Sequence, residues 1–178
     1  PQPPTPTDPV TENMMALAGK PFQAFPKQDH RAHIDTHLAF MGTNMARNNP
    51  MILGSLEKNI FEHISLMAQE QVELEFRDEF VRFQEIQKNP AAVQQNPQLQ
   101  QVLQQFSIKV EARKAKLEAE MMNEFLKEER KIMGEFGNDP IAKLRARELD
   151  LKAMDDARKV QEGQEKIDLD RMKTMMNQ

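Results

Sequence analysis

Four breaks decide where regular structure can run in this chain: Arg47-Asn48-Asn49-Pro50, Asn89-Pro90, Asn96-Pro97 and Gly134-Glu135-Phe136-Gly137-Asn138-Asp139-Pro140. Proline lacks a backbone donor and pushes the residue before it out of the helical region, so a helix ends before each break and restarts after it. Between the breaks, apolar residues recur at three- and four-residue steps. Gln, Glu, Lys and Met are abundant and β-branched residues are few, as in long helices that bury one stripe. The reading is all-α: an antiparallel helical hairpin followed by two long helices, assembled as part of a ring oligomer.

The segments follow from the same punctuation. Residues 1–28, opening with PQPPTPTDPVTEN, read as a proline-rich linker or lead-in, and the chain reads as a piece of a longer polypeptide. Residues 29–88 read as the hairpin. Its first helix starts behind Asp29, a cap for exposed amides, and runs to Arg47; its second opens at Pro50. That second helix carries Leu53, Leu56, Ile60, Ile64, Met67, Gln71 and Leu74 as a core-facing stripe, then shifts to Phe76, Phe80, Phe83 and Ile86, with a kink or break expected near Phe76. Residues 89–97 read as a connector, and 98–178 as two long helices divided near residue 134.

The third helix shows two stripes, Leu99, Leu103, Phe106, Val110, Arg113, Leu117, Met121 and Ile108, Ala112, Ala115, Ala119, Met122, Leu126, Met133, and hence two neighbours. The fourth has a weakly apolar seam, Ala153, Ala157, Val160, Gln164, Ile167, Arg171, Thr174, which needs contacts from identical copies or a partner. The expected oligomer seam therefore comprises Leu103, Phe106, Val110, Leu117, Met121, Ala153, Ala157, Val160 and Ile167.

Composition removes several function classes. Without cysteine there is no disulfide, zinc–thiolate site or thiol nucleophile, and a reducing assembly setting fits. With 29% charged residues and a mean hydropathy of -0.71, no apolar run approaches the roughly 20 residues needed to cross a bilayer, and no membrane partner is expected. A net charge of -4 argues against a dedicated nucleic-acid-binding module. No phosphate-binding glycine loop, G-x-S-x-G turn or Ser/His/Asp set is present, so the chain is not expected to be an enzyme.

One segment concentrates chemistry. Asp29-His30-Arg31-Ala32-His33-Ile34-Asp35-Thr36-His37 holds three of the four histidines, and His30, His33 and His37 share one helical face. With His63, and Asp29 or Glu62 as an oxygen donor, they could ligate zinc. The HExxH glutamate is absent, so the preferred reading leaves metal and cofactor out: the histidines hydrogen-bond and pack where two helices meet.

Lys109, Arg113, Lys114, Lys116, Lys127, Arg130, Lys131, Lys143, Arg145 and Arg147 could contact DNA phosphates along a channel. Interleaved glutamates favour a solvated, salt-bridged helix face instead. The methionines, Met14-Met15, Met121-Met122 and the terminal Met172, Met175 and Met176, read as core filling, with the terminal group the best candidate for docking.

The stretch Phe22-Gln23-Ala24-Phe25-Pro26-Lys27-Gln28-Asp29-His30-Arg31-Ala32-His33-Ile34-Asp35-Thr36-His37-Leu38, followed by Ile60-Phe61-Glu62-His63-Ile64, resembles the C-terminal region of the large portal proteins of tailed bacteriophages. There a "PxQDHxAHIxxH" segment precedes a second helix of "HIxEH" character, shortened here to Glu62-His63-Ile64. The likeness covers about residues 20 to 75. It implies a homo-oligomeric ring of about twelve copies at one capsid vertex, through which double-stranded DNA is packed and ejected. It also implies capsid, adaptor and terminase partners, and a location in the virion and, during assembly, the host cytoplasm. ATP hydrolysis belongs to the separate terminase. Residues 29–88 would be crown-like and 98–178 barrel-like or a crown extension. The alternatives are a scaffolding, internal virion or coiled-coil adaptor protein that binds a protein partner, and a metal-dependent helical enzyme centred on the histidines.

Overall fold

The computed structural model describes residues 2–134 and 140–176, without the side chains of 140–147, 149, 150 and 153. Among the described residues, regular structure is helical throughout: α1 Pro9–Leu17, α2 His30–Met41, α3 Asn44–Arg47, α4 Pro50–Glu75, α5 Arg77–Gln87, α6 Pro90–Gln95, α7 Pro97–Gly134 and α8 Pro140–Met176. No helix among them is long and apolar enough to cross a membrane.

One device starts four of these helices. An Asp or Asn side chain caps the first turn and a proline opens it, where the missing N–H has no helical partner to lose. Asp8 Oδ1 accepts from the Thr11 amide at 2.9 Å, Asn49 Oδ1 from Met51 at 3.1 Å, Asn89 Oδ1 from Ala92 at 3.3 Å and Asn96 Oδ1 from Gln98 at 3.1 Å. Asp29 caps α2 without a following proline, accepting from Ala32 at 3.0 Å.

The device corrects two of the expected segments. Residues 1–28 contain α1, because Asp8-Pro9 starts a helix in a region where clustered prolines suggested only linker. Residues 89–97 contain α6, started by Asn89-Pro90 and stopped by extended Asn96. The first hairpin helix ends at Met41 instead of reaching Arg47. At the break, a Cβ on Gly42 would lie 2.6 Å from Ile132 Cγ2, so any side chain here forces Ile132 to shift. The expected kink falls at Phe76, which leaves helical geometry between α4 and α5. The expected stop over 135–139 lies outside the described residues.

The chain divides into two compact units that do not match those segments: Pro1–Met67 with Glu120–Ala153, and Ala68–Ala119 with Met154–Gln178. Three helices, α4, α7 and α8, each contribute to both. In the first unit, α2 buries His30, His33, Ile34, His37, Leu38 and Met41, one continuous stripe at helical spacing. From α4 come Leu53, Leu56, Ile60 and Ile64, and from α7 Met122, Phe125 and Leu126, with Phe125 edge-on to Phe61 at 6.0 Å. The α4 stripe then follows an i+4 row, Ile64, Ala68, Val72, so Gln71 and Leu74 of the expected stripe are exposed.

In the second unit, Phe106 of α7 sits among Phe76, Phe80 and Phe83, with centroids 5.2 to 6.3 Å away. Arg113 forms a two-pronged bond to Glu75 at 2.8 and 2.9 Å. Both expected α7 stripes are at least half-buried within the chain. Ile108, Ala112 and Ala115 face Val160, Gln164 and Ile167 of α8 across a groove of about 400 Å³.

The Gly42 contact has a measurable consequence. Gly42→Ala should cost about 1–3 kcal/mol by overpacking, and Ile132→Ala should recover most of that in the double variant. Urea denaturation of the four proteins reads the coupling; additive effects would show that Ile132 moves aside freely.

Candidate functional site

Three helices of the first unit bring their polar residues to one buried point. The α2 stripe carries His30, His33 and His37 inward, and α4 brings Asn59 and His63. Helix α1 turns Glu12 and Asn13 inward while Val10 and Met14 face outward. Glu12, His37 and His63 have no exposure to solvent.

The contacts are short and interlocked. His33 Nδ1 donates to Glu12 Oε1 at 2.8 Å, and Thr7 Oγ1 donates to Glu12 Oε2 at 3.1 Å. His37 Nδ1 lies 2.7 Å from Asn13 Oδ1; its Nε2 lies 2.9 Å from Asn59 Oδ1 and 3.3 Å from Glu12 Oε1. His63 Nδ1 pairs with His30 Nδ1 at 2.8 Å, and the rings of His33 and His63 lie 4.4 Å apart. One ligand atom from each of Glu12, His33, His37 and His63 falls within 4.8 Å of the others.

Two features separate this cluster from ordinary packing. A neutral imidazole has one N–H, yet the His37 ring faces three oxygens. His63 Nε2 is buried with no hydrogen-bond partner, as is Asn59 Nδ2. Burial, reinforced by the neighbouring His33, His30 and His37, pushes the His63 pKa down from 6.5 to about 3, which keeps the ring neutral.

The four histidines anticipated from sequence are thus brought together, but the oxygen donors are not those expected. Asp29 is occupied capping α2, and Glu62 lines a separate recess with Lys58 and Lys152. Glu12 and Asn13 were missed because the clustered prolines around α1 read as linker, and Asn59 because one polar residue beside the apolar stripe of α4 carries no periodic signal.

The anticipated cations are scattered. Lys109 sits 4.9 Å over the Phe76 ring and 3.8 Å from Glu79, Arg113 is held by Glu75, and Lys114 lies 3.7 Å from Glu118. Lys116, Lys127, Arg130 and Lys131 are exposed, while the side chains of Lys143, Arg145 and Arg147 lie outside the described residues. Of the expected seam, Leu103, Phe106, Val110, Leu117, Met121 and Ile167 are buried or half-buried in the chain itself. Ala157 and Val160 are exposed, and the Ala153 side chain is not described. Compared with known proteins, the chain matches no family model, no curated sequence and no solved structure.

His63 gives the acid response a direction. The unfolded chain takes up a proton near the ordinary value of 6.5, whereas folded His63 does so only near about 3. The contribution of neutral, buried His63 to stability is therefore complete above 6.5 and is lost progressively as pH drops toward 3. Urea midpoints of chelator-treated protein should decline over that range, and less steeply in His63→Gln. Equal declines in the two proteins would place the acid sensitivity elsewhere.

Proposed function

We propose that the chain is a structural segment of a homo-oligomeric ring of the tailed-phage portal type, acting mechanically and not as an enzyme. The observation that carries this reading is the outer face of α8. Leu169, Met172 and Met176, spaced to share one side of the helix, are exposed, as are Met154 and Met175. A helix of 37 residues with a weakly apolar character gains its stability from packing against neighbours.

The local contacts support the same reading. His30 meets His63 while His37, two turns on, meets Asn59, the sense expected of an antiparallel crown-like hairpin made by α2 and α4. The histidines that carry the resemblance are the ones that organise this contact. In such a ring, α7 and α8 would form the barrel or crown extension. Exposed Lys116, Lys127 and Lys131 would be available to DNA phosphates, and capsid, adaptor and terminase proteins would be the partners, in the virion and in the host cytoplasm during assembly.

A second reading, a scaffolding or coiled-coil adaptor that binds protein, draws support from the ion pairs of Lys109, Arg113 and Lys114, which already neutralise part of the basic cluster. Native mass spectrometry of the full-length polypeptide carrying this segment separates the two. A closed ring of about twelve copies is expected, and a monomer or dimer would overturn the ring. Replacing both Leu169 and Met172 with Glu should weaken the ring while leaving helical circular dichroism unchanged.

A further inference from the structure

We propose that Glu12, His33, His37 and His63 bind one divalent transition-metal ion of the zinc type, in a closed structural site that fastens α1 to α2 and α4. Three imidazoles and one carboxylate suit zinc and its borderline neighbours, and do not suit magnesium or calcium, which take oxygen ligands. The cluster contains no water-facing position, so the site is structural in kind.

Geometry carries the inference. Glu12 Oε1 and His37 Nε2 are 3.3 Å apart. That is close to the edge of a tetrahedron with bonds of about 2.1 Å, roughly 3.4 Å. His63 Nε2 is a buried atom with no hydrogen-bond partner, and it is open to a cation when the proton shared with His30 sits on His63 Nδ1. The other ring nitrogens are already held as a metal site requires. His63 Nδ1 is paired with His30 and His37 Nδ1 with Asn13 Oδ1, fixing each ring so that Nε2 is the ligand. Thr7 holds the outer carboxylate oxygen of Glu12 and leaves Oε1 facing the cluster. The ion would replace the His33–Glu12 hydrogen bond and the His37 Nε2–Asn59 contact, each neutral imidazole keeping its one proton on the nitrogen that does not ligate.

The site also accounts for α1. That helix buries Ala16, with Leu17 packed against the core, and beside them turns Glu12 and Asn13 inward, a polar pair that the hydrophobic effect gives no reason to bury. A metal ligand at Glu12 supplies one.

The test uses the full chain, stripped with EDTA and then titrated with Zn2+ or Co2+. One ion per chain is expected, with a rise in melting temperature and, for Co2+, a tetrahedral visible spectrum. X-ray absorption of the zinc form should show three imidazole nitrogens and one oxygen. Glu12→Ala and His63→Ala should lose stoichiometric binding, and His30→Ala should weaken it on the order of 10–100-fold. No binding to the wild-type chain overturns the site, as does a zinc shell without imidazole. Because the absorption measurement is made on the wild-type protein, the result does not depend on whether the variants fold. Binding that survives both ligand substitutions would place the ion elsewhere and also overturn it.

Discussion

The pairing of the Glu12 carboxylate with His33, inside the first unit, is the interaction on which the N-terminal architecture rests. Removing one partner of a buried hydrogen bond leaves the other polar atom unsatisfied, at a cost of about 1–3 kcal/mol, more than a typical surface ion pair. Arg31 reaches Glu124 and Glu128 at 3.5 and 3.6 Å, but all three side chains are exposed. Exposed pairs of this kind contribute about 0–1 kcal/mol. The buried cluster therefore decides where α1 sits, whereas these surface pairs join α2 to α7.

Placing polar groups at the centre has a consequence for the rest of that unit. Imidazoles occupy positions on α2 that would otherwise carry leucines, so the dry core is displaced toward Leu38, Met41, Leu53, Leu56 and Ile60, and Phe125 and Leu126 of α7 close it. Each element then has a defined task. α2 presents the histidines, α4 supplies both the hydrophobic wall and His63, and α1 contributes oxygen donors. In the second unit the logic is different: an aromatic group around Phe106 and the Arg113–Glu75 pair organise α7 with α4 and α5, while α8 leaves apolar residues exposed.

Helices were legible where the signal was local. Asn-Pro and Asp-Pro steps mark helix starts through side-chain capping and the missing proline donor, both confined to four residues. The starts of α4 and α7 follow from such cues, and the break at Phe76 from the shift of the apolar stripe there. The stripes of α7 were legible as well, since periodicity reports which faces are covered. What covers them was not: Ile108, Ala112 and Ala115 of the second stripe face Val160, Gln164 and Ile167 of the α8 seam across a groove inside one chain.

The sequence by itself determined that this chain is helical, where most helices begin, and that His30, His33 and His37 share a face, because those properties depend on residues within a turn or two of each other. Only the tertiary structure decided that α1 exists as a docked helix with its polar side inward. The same holds for Glu12 and Asn59 completing the histidine cluster in place of Asp29 and Glu62, and for Ile132 crowding Gly42. These depend on distances between residues remote in the chain, and local periodicity carries no information about them.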